Sequence, residues 1–120
     1  MADQIEVKSH DKPDETRTPD KTRVEVVHVG SATLGRATLQ PGWRWSDCIK
    51  PVVKTESCEA HHVGYAVSGS LTVRLNNGNQ ATIKAGDSYD IPPGHDAWVE
   101  GSQPFVGIEV QSAGEYAKPK

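Results

Sequence analysis

From Val24 onward the chain runs as short apolar stretches broken at close intervals by glycine, proline and asparagine, a pattern of strands joined by tight turns. Strands are expected at 24–29, 32–40, 62–68, 70–75, 80–84, 88–91, 97–100 and 104–110. The clearest unit is SLTVRLNNGNQATIK. There Leu71, Val73 and Leu75 alternate with Thr72 and Arg74, giving one buried and one wet face, and Asn77-Gly78 supplies the positive-φ residues of a hairpin turn. Pro41-Gly42, Ala85-Gly86-Asp87, Pro92-Pro93-Gly94 and Gly101-Ser102 mark further turns. No segment keeps a helical period, so the pattern predicts an all-β antiparallel meander or jelly roll over 24–112, followed by a short tail at 113–120.

Composition changes the picture at the N-terminus. Residues 1–23 carry eleven charged side chains, two prolines and almost nothing apolar, which predicts a flexible, disordered charged arm. The 120 residues otherwise suit one domain. A formal charge of −3, with no basic cluster among aromatics, argues against nucleic-acid binding. There is no apolar run of membrane-spanning length and no signal-peptide pattern, so the expected setting is cytoplasmic, without a membrane partner. In that compartment Cys48 and Cys58 should both be thiols; a disulfide between them would require an oxidising one.

Two stretches resemble the cupin family. Its second motif has a glycine, five residues, Pro-x-Gly, two residues and then a histidine. Gly86 followed by DSYDI and Pro92-Pro93-Gly94 matches it, although the expected histidine position holds Ala97 and the sequence offers His95 instead. By the period-two rule, 95 and 97 share a strand face. The first motif matches in part. Counting back from Gly69 places His62 where the family has its glutamate, and counting forward from Gly42 places Cys48 at the first histidine. An alternative register, counted back from His62, puts Glu56 and Cys58 at the histidine pair, with an insertion between Lys50 and His62. The resemblance covers about residues 33–110 and implies a double-stranded β-helix (jelly-roll) barrel, a small-molecule or metal pocket, and pairing of barrel edges into a homodimer.

The residues themselves allow a metal site. Cys48, Cys58, His62 and His95 are imidazole and thiolate donors of the kind that hold a divalent transition metal such as Zn, Fe, Mn or Ni, with Glu56 or water completing the set. Gly64, Ala66 and Ser68 share the face of His62; their smallness either leaves room for a ligand or lets another element approach closely. His61 falls on the opposite face with Val63, Tyr65 and Val67, and Tyr65 is expected in the core. Asp96 could orient His95, or the His-Asp pair could simply close the turn. Cys48 and Cys58 could equally be small buried hydrophobes. Trp43 and Trp45 are expected on one face of a strand, at a cavity rim or packed in the core. No serine-hydrolase, phosphate-loop, dinucleotide or zincin motif is present. Two functions fit: a metal-dependent enzyme acting on a small organic substrate, and a non-catalytic ligand-binding or sensing module with a degenerate metal site.

Overall fold

The computed structural model describes residues 4–110; the expected tail at 113–120 lies outside them. The alternation forms β1 (Glu15–Arg17), β2 (Thr22–Val29), β3 (Ala32–Leu39), β4 (His62–Ser68), β5 (Ser70–Leu75), β6 (Gln80–Lys84), β7 (Ser88–Ile91), β8 (His95–Glu100) and β9 (Phe105–Glu109). They build two antiparallel sheets, in the order β1-β2-β3-β9-β4-β7 and β6-β5-β8. Inward-facing Val24, Val26, Leu39, Ala66, Leu71, Val73, Ile83, Ile91, Val99 and Phe105 fill the space between them. The β5–β6 hairpin differs from the two-residue Asn-Gly turn expected: only Gly78 takes a positive φ (+93), and Leu75 N donates to the Asn79 carbonyl (2.8 Å), closing a three-residue loop with glycine at the left-handed position.

The flexible arm expected over 1–23 is corrected wherever those residues are described. Thr22 already begins β2, and Glu15–Arg17 pairs with it as β1. Upstream, the backbone N–H of His28 donates to Asp14 (2.7 Å), that of Gly30 donates to Glu6 (2.7 Å), and Arg36 donates to Asp11 (2.8 Å). The segment therefore lies across the outer side of β2, where Glu25 and Val27 are buried although they point away from the core. Its charges are satisfied by backbone donors and arginines, a source of order that apolar content does not register.

The stretch after β3 also departs from expectation. Trp43 and Arg44 do run extended against β8, through the Arg44–Trp98 bridge and a 3.0 Å bond from Val99 N to the Trp43 carbonyl. At Trp45 the chain then turns into two short helical turns, α1 (Trp45–Cys48) and α2 (Lys50–Val53), the second with a proline in its first turn and ended by Lys54 at φ 62. Trp43 and Trp45 both pack in the core, whereas Arg44 stacks outside over Trp98, 4.5 Å from the ring centroid. Tyr65, expected inside, is 48% exposed because it shares the outward face of β4 with Val67. No helix among the described residues is long and apolar enough to cross a membrane.

Candidate metal centre

Three of the four expected ligands converge. His62 opens β4 and His95 opens β8. Cys58 is held against His95 by an isolated bridge, with Cys58 N donating to the His95 carbonyl (2.8 Å) and Gly94 N donating to the Cys58 carbonyl (2.7 Å). One ligand atom from each residue lies within 4.8 Å of the other two. Cys58 Sγ is 3.5 Å from His62 Nε2, and the two imidazoles meet edge-on with centroids 5.2 Å apart. All three side chains are buried. His95, Ala97 and Val99 share the inward face of β8, so the histidine enters the barrel one step nearer the loop than the family pattern places it.

Each imidazole is fixed from behind. His62 Nδ1 lies 2.7 Å from Glu109 Oε1, and the Tyr89 hydroxyl donates to Glu109 Oε2 at 2.9 Å. His95 Nδ1 donates to the Pro92 carbonyl at 2.8 Å. Both rings thereby spend Nδ1 on an outer partner and turn Nε2 toward the thiol, the arrangement that orients metal-ligating histidines. Burial opposes charge on His62, but the Glu109 carboxylate and the Cys58 sulfur outweigh it and raise its pKa to about 10. Burial likewise pushes the Cys58 thiol up, yet hydrogen bonds from His62 and His95 bring it down to about 7. Burial and the neighbouring Glu109 raise Tyr89 well above the ordinary phenol value, keeping its hydroxyl a donor.

Glu109 was not evident from the sequence. The signal available was its place on β9, where Phe105 and Gly107 face inward and period two carries Glu109 to the same side. The small residues beside His62 serve this network. A Cβ on Gly64 would come within 2.8 Å of the Tyr89 hydroxyl oxygen, and one on Gly107 within 2.7 Å. Of the two readings of Gly64, close approach is the one realised: the Ile108 backbone carbonyl on β9 comes nearest, and the Tyr89 hydroxyl next.

Cys48 is corrected out of the ligand set. Its place on α1 turns its sulfur toward Asp20, 3.9 Å from Oδ2, and it is not among the converging residues. Glu56, on the exposed side of the loop, is 99% accessible and pairs with Lys50. The register that equates Cys58 with the second histidine of the pair is therefore the one adopted. His61 lies on the surface against Asp90 at 2.7 Å. Asp96 does not orient His95; its carboxylate accepts from the Ser46 N–H (3.1 Å) and hydroxyl (3.0 Å) at the start of α1.

Beside the cluster is an inner cavity of about 30 Å³, walled by His62, His95 and Glu109 together with apolar side chains that include Leu71, Ile91 and Phe105. Trp45 also lines it. Its indole N–H is the one buried side-chain polar atom without a hydrogen-bond partner among the described residues. Trp43, by contrast, donates to Thr22 Oγ1 at 2.9 Å. The donor set suits a metal: one thiolate and two imidazole nitrogens on Zn²⁺, at bond lengths of about 2.0–2.3 Å, would lie roughly 3–4 Å apart, the spacing seen between Cys58 and His62. Fe²⁺ and Ni²⁺ accept the same donors, while Mn²⁺ prefers oxygen and fits least well.

Two packed antiparallel sheets, with His62 on β4, His95 on β8 and Cys58 on the loop before β4 turned inward, define a double-stranded β-helix with a buried side-chain cluster. The fold is that of the cupins. Among solved structures, a cupin-like protein from Thermotoga maritima superposes with a TM-score of 0.53 at 16% identity, over 82% of this chain and 72% of the other. A protein with a double-stranded β-helix domain from Klebsiella pneumoniae matches at 0.54 and 22% identity, over 87% and 86%. A protein of unknown function from Acidithiobacillus ferrooxidans matches at 0.62 and 17%, over 91% and 97%. No family model matches the sequence, and no curated protein matches it. At these identities the likeness establishes the fold and not the chemistry.

Proposed function

We propose that the protein binds a divalent transition metal through Cys58 Sγ, His62 Nε2 and His95 Nε2, and that a small molecule binds at the position these three ligands leave open. The observation that carries this reading is the commitment of both Nδ1 atoms to Glu109 and Pro92, which leaves two Nε2 atoms and a thiol facing one another in a buried pocket. A bound metal would supply a Lewis acid that polarises its ligand. His62, held by Glu109, and Cys58, held by the His95 backbone, supply the rigid frame. A cleft of about 410 Å³ between β6 and β7 gives an approach, floored by Val73, Ile83, Tyr89 and Ile91. Ile91 also walls the inner cavity, so it stands between cleft and cluster.

A second reading draws on the same line of atoms. Without metal, His62 lies between a thiol and a carboxylate, the connectivity of a base-activated cysteine nucleophile. Burial of Cys58, and its absence from the cavity wall, favour the metal reading. A thermal-shift screen separates the alternatives: stabilisation by Zn²⁺, Fe²⁺ or Ni²⁺, lost in Cys58→Ser, supports the metal centre. Stabilisation by organic ligands alone would support a non-catalytic binding module. Rapid alkylation of Cys58 by iodoacetamide that Zn²⁺ leaves unaffected would support the nucleophile.

A further inference from the structure

Tryptophan usually finds a hydrogen-bond partner when buried, and an unpaired buried donor is costly enough to be rare in native structures. Trp45 is 1% exposed and its indole N–H has no partner among the described residues. The other two tryptophans are satisfied, Trp43 by Thr22 and Trp98 by Glu100 (3.0 Å); Trp43 and Trp45 both line the inner cavity, and of the two only Trp45 keeps its indole N–H without an acceptor among the described residues. The same cavity is walled by both ligand histidines. At about 30 Å³ it has room for a water or for a ligand of two or three non-hydrogen atoms, and not for a ring.

We propose that Trp45 is a positioning residue for the ligand of the metal centre, donating its indole N–H to an acceptor atom of a one- to three-atom ligand held in the inner cavity. The inference rests on the metal reading and adds a ligand class: compact species with a hydrogen-bond acceptor, such as hydroxide or a linear triatomic anion. Bulkier molecules stop in the outer cleft beyond Ile91. The rest of the cavity wall is mainly apolar, and Glu109 is already engaged by His62 and Tyr89, so Trp45 supplies the donor that selects for an acceptor.

The test uses the full chain loaded with Co²⁺, with azide as the probe followed by visible absorption. Wild type is expected to bind azide, and Trp45→Phe to bind it about five- to tenfold more weakly, the loss of one hydrogen bond, at unchanged Co²⁺ stoichiometry. Trp98→Phe, outside the cavity, should leave azide affinity unaltered. Because Trp45→Phe removes a core indole, a measurement on wild type stands beside it: in the Zn²⁺-loaded, ¹⁵N-labelled protein, azide should shift the Trp45 indole N–H resonance. Equal azide affinity in wild type and Trp45→Phe would overturn the inference, as would an indole resonance unmoved at saturating azide, which identifies a resident water only. Benzoate displacing azide from the metal would overturn the size limit. If wild type takes up no Co²⁺, the metal reading itself falls; if it takes up Co²⁺ and azide ignores Trp45, only this inference does.

Discussion

At the scale of single residues, the account turns on groups that do not touch the proposed metal. Glu109 fixes the tautomer and aim of His62, so Glu109→Gln should weaken Zn²⁺ binding about 10- to 100-fold in a chelator competition while the chain stays folded. Gly107→Ala would drive a Cβ against the Tyr89 hydroxyl and the Phe105 ring, and an overpacked core of this kind should lose about 1–3 kcal/mol in urea unfolding. His62 and His95 were legible as members of the inward cluster because motif spacing and strand period point to the same positions. Cys58 was legible only as one of two registers, since spacing alone cannot say how the residues between Lys50 and His62 fold. Cys48 was misread for that reason. Glu109 was missed as a site residue because its partners are far away in sequence, and Trp45 was legible only as a cavity-rim or core aromatic, since only the packing of β9 and α1 against β4 and β8 brings them to the cluster.

Among elements, the covered outer side of β2 separates this chain from a bare barrel. Removing residues 1–14 would uncover Val27 and take the His10 ring from the Glu25 carbonyl, and should destabilise the protein by about 1.5–3 kcal/mol for the valine alone, read from urea midpoints. Glu25 adds a dependence on pH. The Arg36 guanidinium, against the cost of burial and with help from Arg23, holds its carboxyl below the ordinary 4.5. A carboxylate so lowered contributes stability above its ordinary pKa and loses it as pH falls toward the folded-state value. Glu25→Gln should therefore be about 1–3 kcal/mol less stable than wild type at pH 7, with the gap narrowing as pH falls below the ordinary 4.5. Most strands were legible to within a residue or two, because alternation and turn glycines mark the same limits. The helical turns at 45–53 were not, since each is too short to show a period and Trp-Arg-Trp mimics a strand. The arm was misjudged because composition measures burial and cannot see charges pairing with a sheet's outer face.

At the scale of the molecule, Cys58, His62 and His95 come from a loop, β4 and β8, so a metal held by them would cross-link the two sheets. The cupin fold supplies this scaffold and leaves its use to the side chains. Ligand concentrations about 100-fold above Kd should stabilise the native state by about 2.7 kcal/mol. The most direct test is elemental analysis of wild type, Cys58→Ser and His62→Ala after expression with Zn²⁺, Fe²⁺ and Ni²⁺ and removal of loosely bound ions. The account predicts about one equivalent of metal per wild-type chain and its loss in both variants. Wild-type protein holding less than about 0.1 equivalent, or variants that keep the metal, would contradict it.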